Sequence, residues 1–189
     1  MLTPRQESLL LKIRSDFLEH GFSGFTIDGA TRTYRCSKAT LYALGATRDD
    51  VVKRAIVSYF REITQHTDEA LASGTGPTDA IRRYFDAIAQ STAIASATFW
   101  RDMAAEEVSR EIYSTNTQAA AVKLARTIEV GVREGEFRGL DPQFTASMVS
   151  TALEAIQQQR TPASTPTPEA YRELGKMLLT GISLPPIQP

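Results

Sequence analysis

The residues of this chain best equipped for chemistry are donors of hydrogen bonds. Between positions 26 and 48 the sequence sets Thr26, Arg35, Ser37, Lys38, Thr40, Tyr42 and Arg48 close together along the chain. Hydroxyl, ammonium and guanidinium groups grouped in this way suit a polyanion. They can contact phosphate oxygens or the acceptor edges of bases, and no bond is made or broken. Ala39, within the same run, is small enough to let the backbone come close or to touch a thymine methyl group. Groups suited to catalysis are sparse. His20 and His66 stand without a His-Glu-x-x-His spacing, and neither a Gly-rich phosphate loop nor a Gly-x-Ser-x-Gly elbow occurs. Glu106, Glu107 and Glu111 could pair for acid–base work, but an exposed charged helix face accounts for them with fewer assumptions. The single Cys36 excludes an internal disulfide framework and a Cys-rich zinc site, and reads as a small buried hydrophobe in a turn. The sequence points away from an enzyme and implies no cofactor and no metal.

Holding those donors in place takes short helices. Thr3-Pro4-Arg5-Gln6 opens the first, with an N-cap threonine, proline at the first helical position and glutamine to close a capping box. Leu9, Leu10, Ile13 and Phe17 recur at helical spacing until Gly21, a C-terminal stop. Phe22 and Phe25 follow as core anchors. Thr26 caps a second helix through Ile27, Asp28 and Ala30, and the pattern breaks at Tyr34-Arg35-Cys36. Ser37 then caps a third segment, Lys38 to Leu44, in which Leu41 faces inward while Lys38, Ala39, Thr40 and Tyr42 point outward. This is the plan of a helix-turn-helix, whose third helix can lay its first side chains into a major groove about 12 Å wide.

The rest of the chain is helical as well. Thr47, with Asp49 and Asp50 in the first turn, starts a longer helix bearing Val52, Ala55, Ile56, Tyr59, Phe60 and Ile63. Gly74-Thr75-Gly76-Pro77 ends it, and Asp79 onward carries Ile81, Tyr84, Phe85 and Ile88. Residues 91–104 are less regular, with Ile94, Phe99, Trp100 and Met103 assigned to one face. A long helix is expected over 106–134, with a candidate interruption at Ser114-Thr115-Asn116. Asp141-Pro142 is a strong start for a helix that buries Phe144, Met148, Val149, Ala152 and Ile156. Residues 161–168 form a Pro/Thr/Ser linker, expected to be extended and mobile. A last helix opens at Pro168 with Tyr171, Leu174, Met177 and Leu178 on one side, and the tail beyond Gly181 should fray. With no sustained period-two pattern, the fold class is all-α.

Composition bounds the reading. The 189 residues allow one domain or two small ones, and 42% hydrophobic with 23% charged residues is ordinary for a globular chain. No apolar run suits a membrane span, and no secretory signal opens the chain, so the expected compartment is the cytoplasm. Residues 1–48 hold seven Lys/Arg against four acids, while the remainder holds fourteen against eighteen. A basic head on an acidic body is the balance expected of a polyanion-facing segment.

These residues carry a resemblance. Thr26-Ile27-Asp28, Ser37-Lys38-Ala39-Thr40-Leu41-Tyr42 and Arg48-Asp49-Asp50-Val51 resemble the DNA-binding head of TetR-type transcriptional regulators. That pattern has a capping threonine, a Leu-Tyr recognition segment and a basic residue opening the fourth helix. Glu134-Gly135-Glu136-Phe137-Arg138-Gly139-Leu140-Asp141-Pro142 is similar to the turn before the dimerising helices of these regulators. The chain departs from the pattern at Ala30-Thr31, usually Ile-Ala. It has Arg35 where a glycine is usual, Gly45 where an aromatic residue is common, and Arg48 for lysine.

The resemblance implies a helix-turn-helix domain over 1–48 and an effector-binding and dimerisation domain over 49–189. It implies a homodimer through helices near 141–160 and 168–182, a double-stranded DNA operator, and repression relieved by a small effector. The DNA contacts would be Thr26, Arg35, Ser37, Lys38, Ala39, Thr40, Tyr42 and Arg48. Candidate effector contacts are Phe85, Ile88, Phe99, Trp100, Met103, Tyr113 and Met148, residue types that more often serve as core. Their apolar and aromatic mix favours a hydrophobic or aromatic effector, with Trp100 beside Arg101 the best equipped. The alternative is a helical ligand- or protein-binding dimer that has lost specific DNA binding, a reading kept open by Arg35 and Gly45.

Overall fold

The computed structural model describes residues 2–162 and 164–184, and every regular element among them is a helix. In chain order these are α1 (Pro4–His20), α2 (Ile27–Thr33), α3 (Lys38–Tyr42), α4 (Arg48–Ala72) and α5 (Pro77–Thr92). They continue with α6 (Ala97–Ala105), α7 (Glu107–Glu134), α8 (Pro142–Gln157) and α9 (Thr167–Ile182).

The starts of these helices follow from short-range chemistry. The Thr3 hydroxyl accepts from the Gln6 amide while the Gln6 side chain accepts from the Thr3 amide, closing the expected capping box of α1. Thr47 and Asp50 make the same reciprocal pair ahead of α4. Ser96 caps α6 by accepting from the Phe99 amide, and Asp141 caps α8 by accepting from the amides of Gln143 and Phe144. Gly21 stops α1 at φ +83°, a left-handed conformation that disfavours a side chain.

By compactness the chain falls into two units, Met1–Glu62 with Ile94–Tyr113, and Ile63–Ala93 with Ser114–Pro189. The first thus extends beyond residue 48 and takes in α6. Aromatic packing explains why. Phe25 stands edge-on to Phe17 at 5.0 Å, Phe17 lies 5.6 Å from Phe22, and Phe22 lies 5.8 Å from Phe99 of α6. Phe99 in turn meets Tyr59 and Trp100, and the series runs on through Phe60 to Tyr113. Tilted and edge-to-face rings at these separations are the favoured geometry of aromatic cores. Within the second unit α5 packs along α9, with Phe85 directly over Gly175 and Tyr84, Tyr171, Leu174 and Leu178 buried.

Several expectations are corrected. α8 turns Ala146, Val149, Leu153 and Ile156 inward, so Phe144 and Met148, expected in the buried stripe, are exposed instead. The helix is apolar on more than one side, and periodicity alone cannot choose between them. Ile94 lies outside α6 and is exposed, unlike Phe99, Trp100 and Met103. α7 runs through Ser114-Thr115-Asn116 without a break. α9 begins at Thr167, inside the supposed linker, and Ser183 pairs with Phe137 in an isolated antiparallel bridge. Ala163 of the linker and residues 185–189 of the tail lie outside the described residues.

Candidate nucleic-acid interface

α2 and α3 are short, and their caps fix them. The Thr26 hydroxyl accepts from the Gly29 amide at 3.0 Å, and the Ser37 hydroxyl accepts from the Thr40 amide at 3.2 Å. Ser37 and Thr40 also share a hydroxyl–hydroxyl bond of 2.9 Å. Beneath α3, Leu41 and Leu44 are fully buried, as is Ala30 of α2. A five-residue helix anchored on one buried leucine must turn its other side chains out: Ser37, Lys38, Ala39 and Tyr42 are exposed, and Thr40 is half-buried. Lys38 reaches back to Asp28 of α2 at 2.6 Å, a bond that holds the Asp28 carboxyl below its usual range and the ammonium above its own.

The turn between the two helices is strained at one place. Arg35 adopts φ +49°, where the resembling heads use glycine, at a cost of about 1 kcal/mol. Its side chain is exposed. The Cys36 amide donates to the Thr31 carbonyl at 3.1 Å, and the cysteine is half-buried, not buried as expected. Tyr34 donates to Asp16 of α1 at 2.7 Å; partial burial, then that carboxylate, pushes its phenol well above the ordinary tyrosine range.

Arg48 is different from the other donors. Its guanidinium donates to both Glu106 oxygens, at 2.5 and 3.0 Å, and to Asp49 at 3.0 Å. It also donates to the carbonyls of Phe22 and Phe25, at 2.8 and 3.3 Å. The hydrogen bonds to Glu106 are the largest influence raising its pKa further. The structure therefore does not group Arg48 with the outward donors of α3. It fastens the start of α4 to the α1–α2 connection and to the end of α6.

Two acids complete that fastening, and neither was recognised from sequence. Asp102, buried on α6, accepts from the amides of Phe22 and Ser23 at 2.6 and 2.8 Å. Glu106, expected on an exposed helix face, is the C-cap of α6 and the partner of Arg48. The Ser96 amide adds a third tie, donating to the Leu18 carbonyl at 2.7 Å. An acid set among Phe99, Trp100 and Met103 was the available signal, since a carboxylate buried with them must find donors.

The effector candidates divide between the units. Phe99, Trp100, Met103 and Tyr113 are buried in the first, within or beside the aromatic series, and Arg101 is exposed. Phe85 and Ile88 are buried in the second. Met148 is not buried with either group: it is 49% exposed. Trp100 is 2% exposed, and its indole N–H has no hydrogen-bond partner among the described residues. No helix among those residues is long and apolar enough to cross a membrane.

Neither a comparison with protein-family models nor one with curated protein sequences finds a match. Solved structures do match over nearly the whole chain. A TetR transcription regulator from Haloarcula marismortui superposes with a TM-score of 0.77 at 17% identity, covering 97% of this chain and 100% of its own. A transcriptional regulator from Cytophaga hutchinsonii gives 0.73 at 16% identity, with 96% and 100% covered. A regulator from Saccharomonospora viridis, solved in complex with choline, gives 0.69 at 15% identity, with 96% and 98% covered. The likeness at this identity shows the fold: the chain is folded as TetR-type regulators are.

Proposed function

We propose that the protein is a ligand-responsive DNA-binding regulator of transcription acting in the cytoplasm, a repressor released from its operator by a small hydrophobic or aromatic molecule. One observation carries this reading. α3 stands on the buried Leu41 and exposes Ser37, Lys38, Ala39 and Tyr42 together. In a major groove Lys38 would read guanine or a phosphate, and Ala39 would meet the floor or a thymine methyl. The hydroxyls of Thr26, Ser37, Thr40 and Tyr42, with Arg35 in the turn, would position the head on phosphates. The division proposed is a DNA-binding head over 1–48 and an effector-binding and dimerisation part over 49–189. Arg48 acts on the head from within, through its bonds to Glu106 and the α1–α2 carbonyls.

Dimerisation would go through α8 and α9. Phe144 and Met148 of α8 and Met177 of α9 are 64%, 49% and 66% exposed, large apolar side chains that a partner helix would cover. Isologous pairing of such faces would let two heads meet half-sites about 34–36 Å apart.

Release would pass through α6. That helix carries Phe99, Trp100 and Met103, and the segment around it is tied to the head at Ser96, Asp102 and Glu106. A ligand that prefers a displaced α6 lowers operator affinity by no more than its differential affinity for the two states. The unpartnered Trp100 indole N–H would favour an effector with a hydrogen-bond acceptor beside its apolar body. Choline in the Saccharomonospora structure is a precedent for a small molecule in this fold.

The test is fluorescence anisotropy with DNA from around the protein's own gene, across a salt series. Tight binding with a steep salt slope, lost on Lys38→Ala with Tyr42→Ala, is the expected result. Binding indifferent to both salt and the substitutions would overturn the reading.

A further inference from the structure

One acid stands among the donors of the head. Asp28 lies on α2 two positions after Thr26, and its Oδ1 is 2.6 Å from the Lys38 ammonium of α3. Both side chains are open to water, Asp28 at 65% and Lys38 at 59%. No other ion pair or side-chain hydrogen bond of either is found among the described residues. The pair thus keeps an unused carboxylate oxygen beside unused ammonium hydrogens. Thr26 already caps α2, so the acid is not needed to start that helix. On a surface that meets DNA a carboxylate is a liability, because every phosphate it nears repels it. It is tolerated there only if the DNA offers it a donor.

Such donors are few. In the major groove they are the amines of cytosine and adenine, and each sits beside an acceptor of its paired base. In a C·G pair the cytosine N4 and guanine O6 are hydrogen-bonded to each other, about 2.9 Å apart. The Asp28 oxygen and the Lys38 nitrogen have nearly that separation, with acceptor and donor reversed. The outer atoms of the edge separate the two base pairs. Beyond O6, guanine presents N7, a second acceptor for the ammonium, and beyond N4 cytosine presents only a C–H. In an A·T pair the adenine amine is flanked by N7, which repels a carboxylate, and the thymine O4 by a methyl group, which gives an ammonium nothing.

We propose that Asp28 is a specificity-determining residue that, with Lys38, reads one C·G base pair in each half-site, the carboxylate accepting from the cytosine amine and the ammonium donating to guanine O6 and N7. The inference rests on the DNA-binding function proposed above and narrows it from a polyanion to a stated base pair. A phosphate that took Lys38 would leave Asp28 facing the backbone without a donor, whereas the C·G edge satisfies both members at once. Against any other base pair at that place the acid meets an acceptor or a methyl group, so it rejects wrong sequences as well as favouring the right one.

The full-length protein, Asp28→Ala, Asp28→Asn and Lys38→Ala are each used to select binders from a randomised duplex library, and affinities for single-base-pair variants of the selected site are then measured by anisotropy. Circular dichroism melts establish that each variant is folded. The original should select a C·G pair in each half-site whose replacement weakens binding about tenfold or more. Asp28→Ala should reduce that preference to less than about threefold and leave the other positions as they were. Asp28→Asn should move it toward adenine, whose N6 and N7 an amide matches. Lys38→Ala should relax the same base pair, since the two side chains read its two bases. If the original selects a sequence but Asp28→Ala selects the same one, or gains affinity equally for all duplexes, Asp28 reads no base and the inference alone fails. Relaxation of different base pairs by the Asp28 and Lys38 substitutions would also overturn it. An original protein that enriches no sequence would overturn the DNA-binding function itself, and the inference with it.

Discussion

Lys38 and Arg48 lie ten positions apart in the head, carry the same charge and belong to the same sequence pattern, yet their surroundings are opposite. Lys38 is exposed and holds one carboxylate, Asp28, across water-accessible surface. Such a pair is worth little and is easily exchanged for a phosphate. Arg48 spends its donors inside: Glu106 twice, Asp49, and two backbone carbonyls. Arg14 is likewise turned to the protein, 2.8 Å from Glu62. Counting cations over residues 1–48 therefore overstates what the head can offer a polyanion. A cation is available to a partner only when its hydrogen bonds are not needed to hold the fold.

The contrast can be broken most forcefully at Arg48. Arg48→Met leaves Glu106 and two carbonyls without their donor, and should cost about 3 kcal/mol, a fall in Tm of roughly 6–12 °C. Glu106→Gln keeps an accepting oxygen and should cost less, about 1–2 kcal/mol. Thermal melts of the two proteins check both. If Arg48→Met melts with the original protein, the fastening described above carries no weight.

Next in size is the surface that has no such internal use. Phe144→Glu with Met177→Glu places charges on the exposed apolar faces of α8 and α9, and should weaken self-association by about 2 kcal/mol or more while the fold persists. Light scattering after size exclusion reads the dimer-to-monomer shift. A mass unchanged by the substitutions would move the interface elsewhere.

Lys38→Ala should show the reverse of Arg48→Met. Stability should stay within about 0.5 kcal/mol, while DNA affinity falls roughly tenfold. The smallest effect is expected at Arg35→Gly, which relieves the left-handed backbone and should stabilise the head by about 0.5–1 kcal/mol in a denaturant titration. A loss of stability there would mean the arginine side chain does more for the turn than its backbone costs.

What was legible in the sequence was local. The capping pairs Thr3 with Gln6, Thr47 with Asp50 and Asp141 with the first turn of α8 lie within three residues, and the helices start where those residues put them. The departure at Arg35 was visible because glycine is usual at that place, and its left-handed backbone is what the structure adds. The fastening of the head was not visible, since Arg48 meets Glu106 and Phe22 meets Asp102 across 58 and 80 positions. No spacing rule spans such distances; only an acid set among Phe99, Trp100 and Met103 hinted at it. The facing of α8 failed for another reason. Phe144 and Met148 are as apolar as Val149 and Ile156, so the hydrophobic pattern contained two faces and no means of ranking them.

The most direct test of the account measures the salt slope of DNA affinity in three proteins: the original, Lys38→Ala and Glu106→Gln. The original should bind with a steep slope; Lys38→Ala should flatten it by about one counterion-equivalent, and Glu106→Gln should leave it unchanged at temperatures where the protein is folded. A slope that Lys38→Ala leaves intact, or an original protein whose DNA binding ignores salt, would contradict the assignment of α3 as the reading helix.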